Sequence, residues 1–294
     1  MTSTIVGCHT QNSKSFQEKY PMRRLLFLLT LASLLASCAE SESTDQTQAN
    51  PIQEAVPTNE TSTTAPAPAP AASQPIIEYV WHKKGPDFSE EALNKAITQW
   101  NGLMDEGDYQ MRFANVLMAD EPNENMDFIW SMLWESMDAR NAGWQYWQEN
   151  QASQWAEMTS GLLTYSEEYA YAFAPSVQRN PSLESDSRVF EAQFSFCNFK
   201  DGYSGADLEA FQNDYHAWLQ AYETDNGATR YWYVNLEPQF EPEPQPDFVW
   251  VHLWQDEAEM TTGMTAFEQS TLAETVNTMT SCQNYTFSGQ RIRG

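Results

Sequence analysis

From Phe190 to Phe199 apolar and polar residues alternate, the period of a half-buried strand. Gly202 to Ala206 then turns the chain. Leu208, Phe211, Tyr215, Trp218 and Tyr222 follow at helical spacing. Arg230–Leu236 is rich in Tyr, Trp and Val, the composition of a strand. The proline-rich stretch Glu237–Pro246 cannot join a hydrogen-bonded ladder, and it ends where a second strand run, Phe248–Trp254, begins. A long helix is expected from about Ala258 to Thr280, and Tyr285–Ile292 closes the series. The preceding hundred residues predict the same order: Ile76–His82, Glu90–Met104, Met111–Met118, Phe128–Trp134, Ala139–Thr159 and Glu167–Phe173.

The parallel extends to single residues. At an offset of 120, Asp127, Phe128, Trp130, Leu133, Trp134 and Gly143 meet Asp247, Phe248, Trp250, Leu253, Trp254 and Gly263. One residue of slippage later, Met158-Thr159-Ser160 meets Met279-Thr280-Ser281; upstream, at an offset of 118, Trp100 and Arg112 meet Trp218 and Arg230. Three landmarks in one order indicate a duplication, with units at 76–175 and 188–294 and a linker at 176–187. Each unit reads βαββαβ, a ferredoxin-like plait with its helices on one sheet face, so the fold class expected is α+β. The bare sheet faces of two such units can cover each other.

This arrangement resembles the dimeric α/β-barrel superfamily, whose plaits pack sheet to sheet around a lumen. The resemblance spans about 220 residues and rests on element order and duplication, without a catalytic motif. It implies the fold, and only weakly a function among cofactor-free monooxygenases, haem-handling enzymes and stress-response proteins.

The N-terminal stretch changes the setting. Arg23-Arg24, the apolar run Leu25–Leu35 and the small residues before Cys38 describe a secretory signal too short to span a bilayer as a mature helix. Leu35-Ala36-Ser37-Cys38 resembles the bacterial lipobox, which implies cleavage before Cys38 and lipid on that cysteine. Ala39 in place of Asp then implies the outer membrane of a Gram-negative envelope. Met22 is a candidate true start, because residues 1–21 are polar. Residues 38–75 are rich in Ser, Thr, Ala, Gln and Pro and predict a disordered tether.

The chain has 15 basic and 41 acidic residues. Residues 1–37 hold four bases (Lys14, Lys19, Arg23, Arg24) and one acid (Glu18), so the remainder has 11 against 40, a net of −29. Such a field repels nucleic acid and excludes it as a partner. The expected partners are the membrane through the lipid, a small molecule, and an envelope protein on the outer face.

Candidate chemistry is sparse. His82, His216 and His252 lie in no zinc spacing, so no metal is expected. His216 falls off its helix's apolar stripe and reads as solvated. A haem reading would need His82 or His252 as axial ligand. His252 takes the place of Met132, and His82 has Phe199 as its approximate counterpart, so neither histidine repeats. No nucleophile elbow or phosphate loop occurs, and the acidic pairs sit at helix starts and exposed edges. No catalytic residue and no cofactor is expected. Cofactor-free monooxygenases of the superfamily place an Asn on the first strand, which implies Asn198 here; the first unit has Trp81 instead.

Two further expectations concern strand faces. Phe128, Trp130, Met132 and Trp134 share one face, as do Phe248, Trp250, His252 and Trp254. The helices already carry Trp100, Trp144, Trp147, Trp155 and Trp218, so the aromatic strand face is assigned to the lumen. Glu191, Gln193 and Ser195 join it, with Phe190, Phe194 and Phe196 facing the helices. Trp130, Trp134, Trp250, His252, Trp254, Glu191, Gln193, Ser195 and Asn198 are thus the candidate ligand-binding residues. The alternative is that the aromatics only fill the interface. Finally, Cys197 and Cys282 are expected to form a disulfide, since export exposes them to an oxidising compartment and their strands are neighbours in the plait; two free buried thiols is the alternative. Val80 and Gly161 are their expected counterparts in the first unit. The leading reading is a tethered binding protein, with a cofactor-independent monooxygenase or haem-handling enzyme as its rival.

Overall fold

Period-two runs become strands and Ser- or Asp-capped stretches become helices across residues 74–241 and 245–294, the part of the chain that the computed structural model describes. The signal, Cys38 and nearly all of the tether fall outside those residues. The first half comprises β1 (Ile76–Lys84), α1 (Glu90–Glu106), β2 (Met111–Ala119), β3 (Phe128–Trp134), α2 (Met137–Asn150), α3 (Ala152–Met158) and β4 (Leu163–Arg179). The second comprises β5 (Val189–Phe199), α4 (Gly205–Asn226), β6 (Trp232–Pro238), β7 (Phe248–Trp254), α5 (Glu257–Glu268), α6 (Thr271–Met279) and β8 (Thr280–Arg293). Short polar side chains start the helices by satisfying backbone donors that lack an intrahelical partner. Ser89 accepts from the Ala92 N–H, Ser136 from Ala139 and Asp256 from Glu259, while Ser204 and Asp207 form a reciprocal capping box.

The strands make one closed antiparallel barrel in the order β1-β3-β2-β8-β5-β7-β6-β4. Each half contributes four adjacent strands, β4-β1-β3-β2 and β8-β5-β7-β6. The sheets join edge to edge through β2–β8 and β4–β6. Their inner faces share one core, in which Tyr79, Leu117, Ile129 and Phe173 meet Phe194, Val234, Val249, Val251 and Phe287. The helices lie outside, and each half has its own sheet–helix core.

The expected faces are therefore reversed. Ile129, Val249 and Val251 point into the barrel, and Trp130, Trp134, Trp250 and Trp254 pack against the helices. Trp100 of α1 meets Trp130 at 5.2 Å between ring centroids, and Phe211 of α4 meets Trp250 at 5.9 Å. Phe194 likewise faces the barrel interior instead of the helices. The physical reason is fit: Tyr79, Phe173, Phe194 and Phe287 already crowd the barrel interior, which leaves room there only for Ile129, Val249 and Val251 of β3 and β7, while an indole can reach across the sheet–helix layer. Glycine makes room for it. A Cβ on Gly143 of α2 would stand 2.6 Å from the Trp134 ring, and one on Gly263 of α5 3.4 Å from the Trp254 Nε1.

The aspartate opening each Phe-x-Trp run latches the end of the neighbouring strand. Asp127 accepts from the Lys84 N–H at 2.8 Å and donates its own N–H to the His82 carbonyl at 2.8 Å. Asp247 accepts from the Phe199 N–H at 2.6 Å and donates to the Cys197 carbonyl at 2.9 Å. His82 thus occupies the place of Cys197, and Phe199 that of Lys84. Across the ladder, Tyr165 opposes His82 as Cys282 opposes Cys197. The counterparts expected for the cysteines, Val80 and Gly161, are replaced by His82 and Tyr165. Cys197 and Cys282 are joined in a disulfide that spans 85 residues of sequence.

Several boundaries differ from expectation: β4 begins at Leu163 instead of Glu167, and β8 at Thr280 instead of Tyr285. β4 continues to Arg179, pairing its end with β6, so the expected linker begins inside a strand. The long helix of the first half breaks at Gln151, whose side chain is claimed by buried partners: it accepts from the Tyr109 hydroxyl and donates to the Leu103 carbonyl. That of the second half breaks before Ser270, whose hydroxyl bonds back to the Phe267 carbonyl.

Candidate functional site

Between the sheet of the second half and helices α4–α6 lies a cavity of about 560 Å³. Strand alternation builds its floor. Trp250, His252 and Trp254 of β7 stand opposite Ser195, Gln193 and Glu191 of β5, and all project toward the helices. Asn284 and Cys282 of β8 extend the floor, so the disulfide forms part of the wall. The α4 stripe of Phe211, Tyr215, Trp218 and Tyr222 provides an aromatic side, and α5 and α6 close the rest with Met264, Phe267 and Val276.

A hydrogen-bonded chain ends on this wall. The Tyr215 hydroxyl donates to that of Tyr231 at 2.9 Å, and Tyr231 lies 2.8 Å from His252 Nδ1. Burial pushes the Tyr215 hydroxyl up to about 12 and Tyr231 well above its ordinary value, so both keep their protons. Burial lowers His252 to about 4, which keeps the imidazole neutral. With Tyr231 donating to Nδ1, the ring proton sits on Nε2. His252 retains some accessible area although its neighbours enclose it, as a group on a cavity wall does. The indole N–H of Trp250 is buried and unpaired, as is that of its counterpart Trp130 in the first half, so this feature belongs to the repeat and not to the cavity.

The corresponding space in the first half is nearly full, with about 50 Å³ left. There Glu78, fully buried, accepts from Trp134 Nε1 at 3.0 Å, Trp144 Nε1 at 2.9 Å and Arg140 Nε at 2.7 Å. Glu78 opposes Met132 as Gln193 opposes His252.

The nine candidate residues thus separate. Gln193, Ser195, Trp250, His252 and Trp254 share the large cavity, and Trp130 and Trp134 line the small one. Both cavities lie outside the barrel, so none of these seven lines the lumen. Glu191 is on the same outer face but beyond the cavity, bonded to the Ser288 hydroxyl at 3.1 Å. Asn198 falls on the opposite face by strand alternation, at an exposed strand end where it donates to the Gln245 carbonyl at 3.1 Å. His216 is not simply solvated: its Nε2 lies 2.8 Å from the buried Tyr233 hydroxyl. The residues that sequence reasoning missed are Tyr215, Tyr231 and the α5–α6 side of the cavity. Among the described residues no three His, Cys, Asp or Glu side chains are grouped as metal ligands, and no helix is long and apolar enough to cross a membrane.

Neither a protein-family model nor a curated protein sequence matches this chain. Solved structures do, at the level of architecture. A mutant chlorite dismutase from Candidatus Nitrospira defluvii superposes with a TM-score of 0.48 and 9% identity, covering 76% of this chain and 94% of that one. A heme-binding protein from Thermus thermophilus gives 0.44 and 10%, covering 74% and 91%. An anthrone oxidase-like protein gives 0.43 and 12%, also covering 74% and 91%. The chain itself forms a closed eight-stranded α+β barrel. Identities this low carry no chemistry from those proteins to this chain.

Proposed function

We propose that this chain is a lipid-anchored envelope protein whose second half holds a small, mainly apolar ligand in the cavity between sheet and helices. The observation that carries the reading is the cavity itself, walled by Phe211, Tyr215, Trp218, Trp250 and Trp254 with His252 and Gln193 among its few polar groups. Its volume, about 560 Å³, falls in the range of small-molecule sites, and apolar walls with a few polar groups are their usual make-up. The paired latches of Asp127 and Asp247 and the glycines beneath Trp134 and Trp254 support an origin by duplication of one βαββαβ unit. Export and anchoring rest on the sequence alone, on Arg23-Arg24, the apolar run and Cys38. Replacing Cys38→Ser is expected to move the protein from the membrane to the soluble periplasmic fraction; unchanged fractionation refutes the anchor.

A second reading, turnover in the same cavity, rests on the Tyr215–Tyr231–His252 chain. A neutral His252 at the end of two tyrosines could accept a proton from an acidic aromatic substrate. Haem does not fit these residues. His252 is the histidine of the wall, but no Lys or Arg lines the cavity to meet the propionates, while Glu259 and Glu268 do line it. The test is extraction of natively purified protein followed by untargeted mass spectrometry, beside Met264→Trp, which fills the cavity. A molecule retained by the parent and lost from the folded variant supports binding. Its absence from both proteins refutes it, and oxygen uptake with aromatic phenols that vanishes in His252→Gln favours turnover.

A further inference from the structure

We infer that the second-half cavity selects neutral or cationic aromatic ligands and rejects carboxylates and phosphates. This rests on the binding function proposed above. The charged residues along the cavity are Glu259 and Glu268, and no Lys or Arg is among its lining residues. Glu259 is already engaged by the Arg230 N–H at 2.6 Å and the Gln255 N–H at 2.7 Å, which fixes it at the start of α5. Glu268 ends α5, is exposed, and has no ion-pair partner among the described residues. Arg179 lies 5.6 Å from the centroid of the Tyr231 ring, but its guanidinium is paired with Glu223 at 2.6 Å.

An anion entering this space would lose its water and find no opposite charge in return, which is strongly unfavourable. It would also approach a chain with a formal charge of −26. A cation meets the reverse. Trp218 and Tyr222 stack 5.5 Å apart on the aromatic side, and indole and phenol faces attract ammonium groups.

Calorimetric titration of the Cys38→Ser chain with three probes of one ring system tests this: 2-naphthylmethylammonium, 2-naphthalenemethanol and 2-naphthoate. The ammonium and the alcohol are expected to bind at least about tenfold more tightly than the carboxylate. Glu268→Gln is expected to narrow the preference for the ammonium over the alcohol, and Met264→Trp to abolish all binding. If naphthoate binds equally well or better, and Met264→Trp removes that binding, the charge selection is overturned while the cavity stands as a site. If none of the three binds, the cavity reading falls and this inference with it.

Discussion

The two halves of the barrel put different fillings into one frame. Trp130 and Trp250, and Trp134 and Trp254, occupy matching places on β3 and β7. The helices above them differ. With Gly143 and Gly263 aligned, Arg140, Trp144 and Trp147 of α2 stand where α5 has Met260, Met264 and Phe267. Trp155 of α3 stands where α6 has Val276. Three indoles and a guanidinium thus give way to smaller apolar groups, and the space grows from about 50 to about 560 Å³. Room for a ligand is made by the helix side chains, above a sheet floor that changes much less. Where the floor does change, polar roles change too: Glu78 with its two indoles and Arg140 becomes Gln193 beside His252, and the ring pair His82–Tyr165 becomes the disulfide.

If Glu78 is the lock of the filled half, removing it leaves Arg140, the buried Trp134 indole and the half-buried Trp144 indole unmet. Glu78→Ala is then expected to cost about 3–5 kcal/mol in urea unfolding, against less than about 1 kcal/mol for Gln193→Ala. Equal losses would break the contrast. The disulfide holds the open half instead. Replacing Cys197 and Cys282 together by Ala is expected to cost roughly 2–4 kcal/mol. Amide exchange should accelerate at β5 and β8 more than at β1 and β4; a uniform rise in both halves would contradict a half-specific role.

The smallest effect is set by pH. Burial lowers His82 from 6.5 to about 4, outweighing its bond to the Val80 carbonyl. As pH falls below 6.5 the unfolded histidine takes a proton while the folded one stays neutral until about pH 4. Its contribution is therefore full above 6.5 and drains away as pH falls toward 4. The loss between about pH 7 and about pH 5 should be roughly 2 kcal/mol relative to a His82→Gln variant. Parallel curves for the two proteins would refute it. His252 is displaced in the same direction, so a bound ligand that shields it should leave the open half's share of this slope intact.

Element order was legible because period two and the helical stripe survive in every segment, and β3 and β7 match their expected limits. The far end of β4 was not: Ser176-Val177-Gln178 has no buried face to leave a pattern, and pairing with β6 alone makes it strand. The cysteine pair was legible from compartment and topology. The direction of the tryptophans was misread because helix positions rich in Trp were taken to need small partners. A corrective signal was present in Gly143 and Gly263, each nine residues beyond the second tryptophan, where the missing side chain admits the indole. The cavity could not be read from the floor residues alone, since Met264, Phe267 and Val276 acquire meaning only beside their bulkier counterparts.

The seams β2–β8 and β4–β6 give every strand two neighbours, so the sheet has no free edge among the described residues. Unpaired strand edges are what other chains add to when proteins aggregate, and this barrel offers no such template. Each half by itself would expose two of them, β2 and β4 or β6 and β8. A chain nicked in the 180–188 connection should therefore remain one particle, and a half released alone should assemble with copies of itself.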